Sequence, residues 1–98
     1  MNFHLVMTTT SSEDEAADIA KAVVNKGFSR CVQIHRGIRS IYQWNNTLHD
    51  DTECQLVIKV SEELLECLTT FLAENHPYDL PEIVAIPLSH GHIPYLQW

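Results

Sequence analysis

The chain has 98 residues, enough for one domain with a modest core. Thirteen Asp and Glu oppose six Lys and Arg, a formal net charge of -7; that surface repels phosphate backbones, and without a Lys or Arg cluster it argues against nucleic acid as a partner. At 45% hydrophobic and 19% charged residues the composition is that of a globular chain, and no run approaches the roughly 18 apolar residues of a membrane span.

Residues 3–8 read as a first strand, followed by a polar turn over 9–12. Ser12 with Glu15 three residues on is a capping box. Ala16, Ile19, Ala20, Val23 and Val24 then recur at helical spacing, and Gly27 is the expected residue just past the helix end. The acidic run Glu13, Asp14 and Glu15 resembles a metal site only superficially, because first-turn carboxylates serve the helix dipole. Residues 29–35 read as a second strand that Gly37 breaks or bends and 38–44 continue. Asn45-Asn46-Thr47 supplies a turn, since Asn tolerates the positive φ of tight hairpins, and 48–60 return as the other arm. In that arm Cys54, Leu56, Ile58 and Val60 share one face, and Glu53, Gln55, Val57 and Lys59 the other.

Ser61 is the expected cap of a second helix with Leu64, Cys67, Leu68, Phe71 and Leu72 as its apolar stripe. This helix must end before Pro77. Asn75-His76-Pro77-Tyr78-Asp79-Leu80-Pro81-Glu82 then makes a short, rigid, polar connection into a last strand over 82–88, apolar on both faces. A loop and a short aromatic tail at 94–98, one helical turn at most, complete the chain. The order βαββαβ is the ferredoxin-like α+β pattern, a four-stranded antiparallel sheet with two helices on one face. Two helices leave the second face open, and the doubly apolar last strand asks for a cover that other subunits would supply.

Several segments together resemble the CutA family, named for divalent-cation tolerance, over essentially the whole chain. They are Cys31-Val32, Ser40-Ile41-Tyr42-Gln43-Trp44, Glu53 through Ile58-Lys59, His76-Pro77-Tyr78, Pro81-Glu82-Ile83, and Gly91 followed by Tyr95-Leu96-Gln97-Trp98. The resemblance implies a ferredoxin-like subunit in a tight homotrimer, sheets inward and hairpins reaching onto neighbours, with an overall design similar to the PII signalling proteins. It implies association with copper and other divalent cations and no established enzymatic reaction. Copper-linked members often carry a Cys at the end of the first strand and a His-His pair before Pro-Tyr; here the matching positions hold Thr8 and Asn75, and only His76 remains. Many members also continue past the position of Trp98 into a longer C-terminal helix.

His76 is the first candidate metal ligand, set against the plainer role of bonding the helix end. His90 and His92 form an HxH that could chelate copper or zinc, or be incidental loop residues. Tyr42, Trp44, Tyr78, Glu82, Tyr95 and Trp98 are candidates for a ligand cleft or for interface anchors, and Glu53 and Lys59 for pairing across subunits. Cys31, Cys54 and Cys67 are odd in number and lack CxxC spacing, so each is expected to be a small buried hydrophobe. Free thiols and an N-terminal apolar run too short for a signal peptide point to the cytoplasm.

Three functions compete. A homotrimeric binding protein with a divalent cation or small ligand in inter-subunit clefts leads. A structural or regulatory PII-like trimer presenting surfaces to a partner protein is the alternative. An acylphosphatase-like hydrolase needs an anion cradle after the first strand, where the chain has Thr9, Thr10, Ser11 and Ser12 rather than Gly and Arg; Arg30, Arg36 and Arg39 lie elsewhere, and no catalytic residues are assigned.

Overall fold

The computed structural model describes residues 2–98. Its elements are β1 (Phe3–Thr10), α1 (Glu13–Asn25), β2 (Val32–Trp44), β3 (Thr47–Ser61), α2 (Glu62–Asn75), β4 (Ile83–Leu88) and a single turn α3 (Ile93–Leu96). The strands form one antiparallel sheet in the order β2-β3-β1-β4. This is the expected ferredoxin-like α+β fold.

Local chemistry sets the boundaries. Ser12 caps α1 by accepting a bond from the Glu15 amide at 3.2 Å. The box is only half closed, because the Glu15 carboxylate takes the Ser11 hydroxyl at 2.6 Å instead; that bond holds its pKa below the ordinary value. At the other end Phe28 N–H reaches the Val23 carbonyl and Gly27 N–H that of Val24, with Gly27 at φ +81°, the Schellman arrangement. Ser29 then bonds the amide and carbonyl of Cys31, which delays β2 to Val32, three residues later than the sequence suggests. β1 runs two residues further than expected, because Thr9 and Thr10 pair with Gln55 and Cys54 and are buried. Ser61 occupies the N-cap position of α2 without a side-chain bond; the Glu62 amide is met by the Asn2 carbonyl at 2.9 Å.

Register decides which residues share a face. Val6, Thr8 and Thr10 stand beside Ile58, Leu56 and Cys54, and all six are buried beneath the helices. Ala16, Ile19 and Val23 of α1 and Leu68 and Leu72 of α2 close the core from above. Cys67 corrects the expected stripe: it is exposed, and Leu65 packs on the core instead. At about 100° per residue Cys67 falls beyond the edge of a stripe centred on Leu68, whereas Leu65 falls within it. Cys31 is half-buried, and Cys54 is the cysteine that joins the core.

On the opposite face Leu5 stands beside Lys59 and Ile86, and Met7 beside Val57 and Val84. Among the described residues no helix covers this side, and Val84 and Ile86 remain 46% and 49% exposed. The β2–β3 hairpin extends well beyond the sheet, giving the molecule extents of 45 × 26 × 22 Å. Its two-residue turn places Asn45 and Asn46 at φ 50° and 60°.

Candidate functional site

One bulge shapes the site. His35 pairs with Gln55 and Ile38 with Glu53, so Arg36 and Gly37 oppose the single residue Cys54, and Gly37 takes φ +70°. Before the bulge, Val32 and Ile34 pair with Ile58 and Leu56 on the core face. After it, Ser40, Tyr42 and Trp44 pair with Asp51, His49 and Thr47, which continue the open face of β3. The extra residue thus turns Tyr42 and Trp44 away from the helices and onto the side of Glu53.

The α2–β4 connection meets them there. Tyr42, Trp44, Glu53, Tyr78 and Glu82 line one groove of about 600 Å³, together with Thr9, Asp79 and Leu80. The Tyr78 hydroxyl donates to Glu53 at 2.6 Å, and the Tyr42 hydroxyl to Asp51 at 2.6 Å. Burial first, then the bond to Glu53, pushes the Tyr78 phenol well above its ordinary range; the Asp51 bond raises Tyr42. Tyr42 also stacks on His49, with ring centroids 5.1 Å apart.

His76 stands behind this groove as a brace. Its Nδ1 accepts the Tyr78 amide at 3.0 Å, so the proton resides on Nε2, which donates to Thr8 Oγ1 at 3.0 Å. The ring leans on Tyr78 with centroids 5.0 Å apart. Desolvation lowers its pKa, against the opposing influence of the Thr9 backbone and of Glu15 and Glu53. Asn75 turns back to the Phe71 carbonyl at 2.9 Å, ending α2.

The remaining candidates lie elsewhere. Lys59, Tyr95 and Trp98 line a second cavity of about 560 Å³ beside Arg30 and Cys31. Within the single chain Lys59 bonds Gln33 at 3.1 Å, as Glu53 meets Tyr78. Tyr95 and Trp98 pack together, with centroids 5.9 Å apart. His90 and His92 are exposed, and the His92 carbonyl accepts the Tyr95 and Leu96 amides at the start of α3. The cleft and interface candidates thus divide between two grooves, while His76 stands behind the first and His90 and His92 line neither. Asp51, Asp79 and Leu80 were missed as lining or supporting residues; the turn chemistry around Pro77 and Pro81 was the only signal for the latter two.

A soft-metal site does not fit one chain. Both His76 nitrogens are engaged, Thr8 and Asn75 provide no soft donor, and among the described residues no three His, Cys, Asp or Glu converge. No helix among the described residues is long and apolar enough to cross a membrane.

The family model of the CutA1 divalent ion tolerance protein matches residues 4–98. Human Protein CutA is 40% identical over 90 residues, covering 92% of this chain and 50% of that one. The divalent-cation tolerance protein CutA of Thermus thermophilus is 38% identical over 94 residues, covering 96% of this chain and 91% of that one. The chain spans about half the length of the mammalian relatives it matches. The crystal structure of CutA1 from Oryza sativa aligns with a TM-score of 0.95 at 34% identity, covering 100% of this chain and 90% of that one. The Thermus thermophilus structure aligns at 0.92 and 38% identity, covering 98% and 93%. With fold, sequence and extent in agreement, the chain belongs to the CutA1 divalent ion tolerance protein family.

Proposed function

We propose that the protein acts in divalent-cation tolerance as a non-enzymatic homotrimer of the cytoplasm, with ligand clefts where subunits meet. The open sheet face carries this reading. Leu5, Met7, Val57, Val84 and Ile86 form an apolar surface on a chain whose core is otherwise complete, and such a surface asks for a second layer. The protruding hairpin, with Ile41 and Leu48 exposed, supports an arm that grips a neighbour. A copper or zinc ion would need donors from more than one copy, with His90 and His92 among the exposed imidazoles this chain could offer. Sedimentation velocity and calorimetric titration with zinc and copper(II) test the two parts separately. A mass near three times 11.2 kDa and saturable heat lost in His90→Ala/His92→Ala are expected. A monomer would sink the assembly; heat no different from that of a generic acidic surface would sink the cation site.

The engagement of His76 favours a second reading, a PII-like trimer that presents surfaces to a partner protein without a specific metal. Saturable assembly with no cation heat is its signature.

A further inference from the structure

We infer that the groove between α1 and α2 docks a basic segment of a partner protein, with one lysine or arginine side chain as its anchor. This deepens the reading of a trimer that presents surfaces to a partner protein, and rests on it. The two helices cover the sheet face opposite the apolar one, and the hairpin takes no part in the groove. An assembly built through the open sheet face and the hairpin therefore leaves the groove uncovered.

Charge decides the kind of partner. α1 and α2 hold eight of the thirteen carboxylates and one of the six Lys and Arg, a formal charge of -7. The remainder of the chain holds five of each, so the net charge of the whole molecule sits on the helical layer. Among the described residues only Glu13 of those eight is ion-paired. Such a layer repels nucleic acid and anionic membrane and attracts a basic polypeptide.

An acidic surface alone does not locate a contact; the groove does. Its volume, about 160 Å³, suits a single side chain and is too small for an ordinary small-molecule ligand. Ile19, Ala22, Phe71 and Leu72 give it apolar walls, and Asp18 and Asn75 a polar rim. Asp18 is exposed and makes no hydrogen bond or ion pair among the described residues. Asn75 donates its side-chain amide to the Phe71 carbonyl at 2.9 Å, which leaves its side-chain oxygen as an acceptor. A lysine or arginine has the matching halves, an aliphatic stem for the walls and donors for the two oxygens. Lys26 already lies over the Phe71 ring, its Nζ 5.6 Å from the centroid and outside the groove lining, so an incoming cation is directed to Asp18 instead.

A capped hexapeptide alternating alanine and lysine is the probe, titrated by NMR into the isotopically labelled full chain. Its lysine-acetylated form keeps the stems without the charge, and spermidine is a free trication. Saturable shifts confined to the amides around Asp18 and Ala22 and to the Asn75 side chain are expected, with a Kd on the order of 1 mM. Asp18→Asn should weaken binding about three- to fivefold, the effect of one exposed ion pair, and the acetylated peptide should not saturate. Ala22→Leu fills the groove and should remove the saturable shifts at unchanged circular dichroism. Glu63→Gln removes the same charge about 18 Å along α2 from Asn75 and should weaken binding less than about twofold. Equal loss in Asp18→Asn and Glu63→Gln, spermidine binding as tightly as the peptide, shifts centred elsewhere, or no saturation would overturn the proposal. A trimeric mass without shifts in the groove would sink this site and leave the partner-presenting trimer standing; a monomer that takes the peptide at Asp18 and Asn75 would do the reverse.

Discussion

Replacing Ile86 by Asp separates the fold of one chain from its assembly. Ile86 sits in the middle of β4, on the face away from the helices, opposite Leu5. It is already 49% exposed in the single chain, so the substitution removes little intramolecular packing, and the edge-strand hydrogen bonds to β1 are untouched. Fully burying an Ile gains about 1.5–3 kcal/mol, so roughly half, about 1 kcal/mol, is still to be gained per copy when a partner covers the face. An ionised Asp in that covered position forfeits the gain and adds a desolvation cost of at least several kcal/mol per copy. Sedimentation velocity should therefore show Ile86→Asp near 11.2 kDa where the parent is about three times heavier, with the far-ultraviolet circular dichroism of both alike. An unchanged mass for the variant would refute the assignment of the open face to the interface; loss of secondary structure along with the mass would refute the claim that the core is complete within one chain.

Gly37→Ala should destabilise by roughly 1–2 kcal/mol in chemical denaturation, because a side chain at φ +70° is strained even though nothing lies within 4 Å of the new Cβ. Gly37→Asn, which tolerates that region better, should recover part of the loss. Leu56→Ala empties a fully buried position between sheet and helices and should cost about 2–5 kcal/mol, read as a lower midpoint at unchanged slope. The lowered His76 pKa means that the unfolded chain takes up the proton first. Stability should be complete above the ordinary 6.5 and fall as pH drops from there through the depressed folded value, and His76→Gln should flatten that limb. Glu15 and Asp50 are lowered too, but they lose their contribution only as pH falls below 4.5 and 3.8, so the limbs are separable.

Much of the architecture was legible because it rests on local chemistry. Ser12, Gly27, the Asn45-Asn46 pair and Pro77 each mark a boundary through a φ value or a backbone bond, and the alternation from Cys54 to Val60 declares its face. The site was less legible, for two physical reasons. The bulge after His35 reverses the parity of β2, and a sequence shows a Gly without showing how many residues its partner strand places opposite. The aromatic residues were also grouped by type. Tertiary structure separates them, sending Tyr42 and Trp44 to one groove and Tyr95 and Trp98 to another. Cys67 failed for a smaller reason, an angle on a helix.

The connection from Asn75 to Glu82 connects these findings. From the sequence its histidine is a candidate metal ligand set against the plainer role of bonding the helix end. In the fold each ring nitrogen has a partner, one of them the Tyr78 backbone, and the ring also supports the Tyr78 side chain. Tyr78 in turn reaches across the end of the sheet to Glu53, in the strand whose outer half forms the hairpin arm. The histidine thus fixes the phenol, the phenol fixes a carboxylate, and the same turn leaves Asp79 and Glu82, unpaired among the described residues, beside aromatic surface. A stretch that retained its imidazole only to bind a metal would leave a nitrogen free. This one spends both on bracing Tyr78 and the end of β1, so in the single chain His76 holds the groove in shape rather than offering a free donor.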